Sequence, residues 1–137
     1  MQHAAGSQWS HLTLNAGRGA LRDVAVRRAV AASLDRDALA AAVATPVGAE
    51  PSTADSLLVL PGQEGYEEVA EPRRRDLAEA RSLLEKAGYE VSGGDAPKVT
   101  KGGDQLTLTL PVVGGSPSIA ARAKSIAAQL AEVGIAV

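Results

Sequence analysis

Polar catalysis needs a nucleophile, a base or a bound metal, and this 137-residue sequence supplies little for any of them. It contains no cysteine, which removes thiolate nucleophiles, disulfides and cysteine-based zinc sites together. His3 and His11 are its only histidines. His3 falls in residues 1–7, expected to be a disordered or vector-derived end. There is no Gly-x-Ser-x-Gly, no His-Glu-x-x-His and no glycine loop ending in Lys-Ser or Lys-Thr. Gly17-Arg18-Gly19 and Gly114-Gly115-Ser116 read as turns. The second places backbone N–H groups at a helix start, a weak anion-site signal. The sequence therefore predicts no enzyme, no catalytic or metal-binding set and no cofactor.

The carboxylates have a plainer use. Asp23, Asp35 and Asp76 each stand just before an apolar run of helical spacing, where a carboxylate accepts the free N–H groups of a first turn. Each is read as a cap. Arg27 and Arg36 are expected to pair with nearby aspartates and fix a helix-to-helix turn. Arg73-Arg74-Arg75 is expected to be a solvated cluster, electrostatically unhelpful to the helix that follows it.

Those caps set the elements. Residues 8–15 read as a strand of imperfect alternation, ending in the glycine-punctuated loop from Asn15 to Gly19. A helix follows Asp23 from about Val24 to Leu34, burying Val26, Ala29, Val30, Ser33 and Leu34. A short second helix runs from Arg36 to Val43, with Leu39 and Val43 inward, and Pro46 and Gly48 end it. Residues 48–72 form a long irregular connection, a length that usually means packing over something or carrying function. The helix after Asp76 has Glu79 in a capping-box-like position, a stripe of Leu77, Ala80, Leu83, Leu84 and Ala87, and Gly88 at its C-terminal cap. Residues 92–104 read as a polar linker, Leu106–Leu110 as the clearest strand. Ser116-Pro117 opens a last helix burying Ile119, Ala123, Ile126, Leu130 and Val133, and Gly134 stops it. Ile135 to Val137 begin another strand. Alternation of this kind predicts an α/β fold with helices packed on a mixed sheet.

Composition narrows the function classes. Hydrophobic residues make up 45 % of the chain, yet it has no Phe, one Trp and two Tyr, so the core must be aliphatic and rich in Ala. Fourteen basic against sixteen acidic residues, a formal charge of −2, leave no footprint for nucleic acid. The helix pair after Asp23 has the outline of a helix-turn-helix, but residues 36–43 offer one Arg and a run of Ala where base-reading side chains are needed. No apolar run approaches the ~20 residues of a membrane helix. Residues 1–6 lack the basic start and apolar stretch of a signal peptide, so any export signal is expected upstream.

Four segments in order resemble a known family. Leu12-Thr-Leu-Asn15, then Leu21-Arg-Asp-Val-Ala-Val-Arg-Arg-Ala-Val30 and Leu34-Asp-Arg-Asp-Ala-Leu39, look like the signature of family 5 extracellular solute-binding proteins. These are the oligopeptide-, dipeptide- and nickel-binding components of ABC importers. Asp76–Tyr89 resembles the family's Ala-x-x-Leu-Leu-x-x-Ala-Gly-Tyr helix, Leu106–Leu110 its Leu-Thr-Leu strand, and Ala127–Val137 its Gln-Leu-x-x-x-Gly-Ile-x-Val ending. The likeness covers residues 9–137. Leu77 stands where members often carry Pro, and the insert Ser92–Thr100 is longer than usual; both departures lie at a helix end or in a loop.

The resemblance implies that residues 8–137 are an incomplete second lobe (lobe II) of a two-lobe periplasmic-binding-protein fold. In such proteins the lobes close over a peptide or other small solute and dock on the ABC permease subunits. It implies an extracytoplasmic parent, anchored to the membrane as a lipoprotein through an upstream segment. Ligand contacts would come from strand ends and loops: Trp9, His11 and Asn15. Trp9 offers a stacking surface with one N–H donor, or else is partial core. An incomplete lobe has no cleft, so the isolated chain is expected to bind the parent's ligand weakly or not at all. The alternative within the same fold is an actinobacterial envelope lipoprotein acting in cell-wall glycolipid assembly.

Overall fold

The computed structural model describes residues 10–56, 59–67, 74–112, 114 and 116–137. They fall in two compact units, one of residues 10–13, 36–56 and 59–67, the other of residues 14–35, 74–112, 114 and 116–137.

The larger unit begins with a 3₁₀ turn, Gly19–Arg22, that leads into α1 (Val24–Ser33). Asp23 caps α1, its carboxylate accepting the Ala25 N–H at 2.8 Å. The expected face is the buried one: Val26, Ala29, Val30, Ser33 and Leu34 are all buried, with Ala32 beside them. Ser33 resolves its own burial by donating to the Ala29 carbonyl at 2.7 Å.

The second helix of this unit, α3 (Leu77–Lys86), is the main partner of α1; α2 belongs to the other unit and is described below. Asp76 caps α3 through the Glu79 N–H at 2.9 Å, but the reciprocal half of a capping box does not form. The Asp76 N–H is given instead to the Ala32 carbonyl at 2.8 Å, so a donor that a box satisfies locally here joins two helices. Ala80 and Leu84 are fully buried, Ala87 nearly so, and Leu77 and Leu83 half-buried. With alanine at 29, 32, 80 and 87, little side-chain bulk separates the helices. This is how a core without Phe closes up.

Gly88 ends α3 in the left-handed region, φ +81°, with Tyr89 N–H donating to Leu84 O at 3.0 Å and Gly88 N–H to Glu85 O at 2.9 Å. The chain then makes three short strands, β1 (Glu90–Val91), β2 (Val99–Lys101) and β3 (Asp104–Gln105). They pair antiparallel in the order β1-β2-β3. The stretch expected to be a linker, residues 92–104, thus contains β2 and the first residue of β3, while residues 92–98 are loop. Gly102 and Gly103, at φ +62° and +89°, form the two-residue turn of a hairpin that pairs Lys101 with Asp104. Beyond β3, Leu106 and Leu108 exchange backbone bonds with Ala136, a parallel bridge centred on Thr107 and Ala136. The three-stranded sheet is thus antiparallel, where a mixed one was expected, and the parallel pairing is this one bridge outside its strands. Leu106 is buried and Thr107 exposed, as the alternation requires.

Between those parallel segments runs α4 (Pro117–Ala131), with Pro117 in its first turn and the Ser116 hydroxyl accepting from Ile119 N–H at 3.5 Å. Leu130 and Val133 are buried, while Ile119, Ala123 and Ile126 are half-buried. Gly134, φ +91°, repeats the Gly88 cap: Ile135 N–H donates to Leu130 O at 3.1 Å and Gly134 N–H to Ala131 O at 2.9 Å. Here the glycine is needed twice, since a Cβ would stand 2.8 Å from the backbone N and C of Lys98.

The smaller unit contains α2 (Arg36–Ala44) and a 3₁₀ turn, Thr45–Val47, closed by Gly48 at φ +69°. The expected end at Pro46 and Gly48 is found. Leu39 is half-buried, but Val43 is 43 % exposed and does not face inward. No α2 residue is fully buried, so helical spacing alone did not supply a partner for that face. Residues 10–15, expected to be strand, make none. Alternation says which side chains share a face and does not create a neighbouring strand. Residues 1–7, Gln8, Trp9 and Arg73 lie outside the described residues.

Candidate functional site

Each of the three residues expected to meet a ligand has its own standing. Trp9 lies outside the described residues. His11 is exposed, in the smaller unit. Asn15 is exposed in the larger unit, and its side chain serves the loop: Oδ1 accepts the Gly17 N–H at 3.0 Å while its carbonyl accepts from Arg18 N–H at 3.4 Å. That is an Asx turn, which a short amide side chain closes well. The Arg22 Nε then donates to Gly17 O at 3.0 Å. Asn15 therefore fixes the loop that enters α1, with its amide NH₂ left over as a donor.

The arginines organise the backbone in ways the sequence reading missed. Arg27 does not pair with an aspartate; its Nη1 donates to Leu21 O and Arg22 O at 2.8 and 2.9 Å and holds the 3₁₀ turn against α1. Arg36 pairs with Asp55, nineteen residues on, at 2.6 Å, and its Nη2 donates to Ala54 O at 3.0 Å. Thr53 Oγ1 donates to the other oxygen of Asp55 at 2.8 Å. The hydrogen bond from Arg36 is the largest influence on the Asp55 carboxyl and, with the Thr53 hydroxyl and the guanidinium charge, outweighs burial to hold it below its ordinary value. Arg36 thus staples the long connection to the start of α2 and does not fix the helix-to-helix turn.

Arg75 is no solvated member of a cluster. Its Nε donates to Ser33 O at 3.2 Å and its Nη2 meets a Glu132 carboxylate oxygen at 2.6 Å. Arg81 Nη2 reaches Glu132 O at 3.0 Å, and Gln129 Oε1 accepts the Asp35 N–H at 2.7 Å. The ends of α1 and α4 and the start of α3 are therefore gathered in one polar knot. Arg74 is exposed.

One open depression of about 260 Å³ lies beside the hairpin, with Leu106 in its lining and Tyr89, Lys101, Asp104 and Thr107 around it. Lys101 already has work: Nζ donates to Ala87 O at 2.8 Å, at the negative end of α3, and stands 5.1 Å from the centre of the Tyr89 ring. Among the described residues no group of three His, Asp or Glu could hold a metal, and no helix is long and apolar enough to cross a membrane. The polar side chains named above serve caps, staples and turns. They hold a scaffold together.

The scaffold is recognisable. The family model described as bacterial extracellular solute-binding proteins, family 5 (middle part), matches residues 1–137. The chain belongs to this family. It is 33 % identical over 152 aligned positions to the probable monoacyl phosphatidylinositol tetramannoside-binding protein LpqW of Mycobacterium tuberculosis, covering 90 % of this chain and 23 % of that protein. It is 29 % identical to the oligopeptide-binding protein OppA of Mycobacterium tuberculosis, over 68 % of this chain and 16 % of the relative. Among solved structures it is similar to NikA from Brucella suis in complex with Fe(III)-EDTA, at TM-score 0.71 and 31 % identity, covering 90 % of this chain and 24 % of that one. It is also similar to the periplasmic EDTA-binding protein EppA, at TM-score 0.70 and 30 % identity, over 90 % and 23 %. The family-5 chain thus has part of the periplasmic-binding-protein fold, spanning about a quarter or less of the relatives it matches.

Proposed function

We propose that this chain is part of the second lobe of the substrate-binding component of an ABC importer. The whole protein captures a peptide or other small solute between two lobes and presents it to the permease subunits. The observation that carries this reading is the agreement with NikA and EppA over nine-tenths of the chain, together with the family match over its whole length. Family membership also supports an extracytoplasmic parent, held at the membrane as a lipoprotein through a segment upstream of residue 1.

The relatives' names span an oligopeptide, a chelate and a glycolipid on one scaffold, so residues 8–137, the incomplete lobe, supply framework more than specificity. Trp9, His11 and Asn15 are its proposed ligand-facing residues. For Asn15 the Asx turn fixes the loop in place and leaves the amide NH₂ to donate to a solute. Calorimetry on the full-length protein tests the reading with three ligand panels: short peptides, metal chelates, and phosphatidylinositol mannosides. Saturable binding of a peptide or chelate supports import. Binding of the mannosides alone supports the second reading, a role in envelope glycolipid assembly, which the likeness to LpqW over 90 % of this chain favours.

A further inference from the structure

Residues 18–28 concentrate positive charge in a chain whose formal charge is −2. Arg18, Arg22, Arg27 and Arg28 stand there with one acidic residue, Asp23. The backbone gathers them at the N-terminal end of α1. Arg22 Nε reaches back to Gly17 O at 3.0 Å, and half-buried Arg27 braces the turn through Leu21 O and Arg22 O at 2.8 and 2.9 Å. Arg18 directly follows Gly17 and Arg28 directly follows Arg27, and both are exposed. Helical side chains lean toward the N-terminus, which carries Arg28 over the turn before it. Among the described residues none of the four forms an ion pair. The Asp23 carboxylate is engaged by the Ala25 N–H. Lys101 and Asp104, which border the same depression as Ala20, add one charge of each sign. One apolar side chain shares this surface: Val24 is 51 % exposed and lies four residues before Arg28, on the same face of α1.

We propose that this surface docks on an anionic membrane. Arg18, Arg22 and Arg28 meet lipid phosphates, Arg27 holds the turn that presents them, and Val24 enters the headgroup layer. Guanidinium groups stay charged and match phosphate oxygens with paired donors. Each basic side chain near an anionic leaflet adds attraction, and an apolar side chain among them favours the bilayer boundary over water. A single bound ion would need donors converging on one point, whereas these arginines are spread along a turn and the first turns of a helix. The surface would hold the protein at the leaflet by its own side chains, apart from any lipid anchor. This rests on the extracytoplasmic reading proposed above. Vesicle binding requires no solute, so its failure and a failure of solute capture are told apart.

Flotation of the full-length protein, without any lipid anchor, tests this on phosphatidylcholine vesicles and on mixed phosphatidylcholine–phosphatidylglycerol vesicles. Binding should appear only on the mixed vesicles and should be lost at high salt. Arg18→Gln with Arg28→Gln should weaken it by about tenfold or more. Val24→Ser should weaken it severalfold. Lys86→Gln with Lys124→Gln removes the same charge from exposed positions on α3 and α4 and should leave binding unchanged. Circular dichroism verifies that each variant is folded. Equal weakening by the arginine and lysine pairs, or by neither, overturns the proposal. So does a wild-type protein indifferent to phosphatidylglycerol, a Val24→Ser protein that binds as tightly as wild type, or release by inorganic phosphate where chloride of the same ionic strength has no effect.

Discussion

Gly88 and Gly134 close two helices with the same pair of backbone bonds and nearly the same φ, +81° and +91°, yet replacing each by alanine should have unequal effects. Placing an L-residue in the left-handed region costs about 1–2 kcal/mol at either position. At Gly88 little is added, because the new Cβ would approach only the Nζ and Cε of Lys101, at 3.4 and 3.6 Å, at the far end of a flexible side chain. At Gly134 the Cβ would stand 2.8 Å from backbone atoms of Lys98, which cannot swing aside. Relief requires moving the start of β2 and weakening the bond from Val99 N–H to Gly134 O, 3.2 Å long, worth about 1 kcal/mol. Val99 is fully buried, so the shift also disturbs packing, by about 1–3 kcal/mol if it resembles overpacking. Gly88→Ala should thus cost about 1–2 kcal/mol and Gly134→Ala about 3–6 kcal/mol. Urea unfolding followed by circular dichroism at a shared slope measures both. Equal losses at the two glycines would mean that the close approach to Lys98 has no energetic weight.

The remaining expectations are simpler. Leu84→Ala, at a fully buried position in α3, should cost about 2–5 kcal/mol in the same unfolding experiment. Asp76→Ala should lose about 1 kcal/mol through the cap, and Asp76→Asn most of that less, since an amide oxygen still accepts the Glu79 N–H. Asp55 is held below its ordinary carboxylate value of 3.8, so its contribution is fully present above about pH 4 and is lost as pH falls through the lower folded-state value. Asp55→Asn should remove that acid-sensitive component, visible as a flatter exchange-versus-pH profile for residues 36–60.

What could be read from the sequence follows from how local each cause is. Asp23, Asp76 and Ser116 act within three residues of themselves, and all three cap as their positions suggest. The face of α1 and the glycine stops at 88 and 134 were legible for the same reason. The β2–β3 hairpin had a local signal too: Gly102-Gly103 between Val99-Thr-Lys101 and Asp104-Gln-Leu106 is a two-residue turn flanked by strand-length runs, and its polar surroundings disguised it. Other features had no local cause. Arg36 finds Asp55 across nineteen residues, and Arg75 finds Glu132 across most of the larger unit. Charge type says that an arginine seeks a partner, and only the fold says which. Of the proposed ligand contacts, Asn15 shows the same limit: its residue type suits a binding loop, and its oxygen is spent on Gly17.

The proposed role of this scaffold in solute capture for import is open to native mass spectrometry of the full-length protein purified from its own cells. The expected result is a folded protein carrying a peptide or chelated metal that exchanges with added solute, while the 137-residue chain alone carries none. A full-length protein that retains only a membrane glycolipid, or a 137-residue chain that binds the solute at micromolar strength by itself, would contradict it.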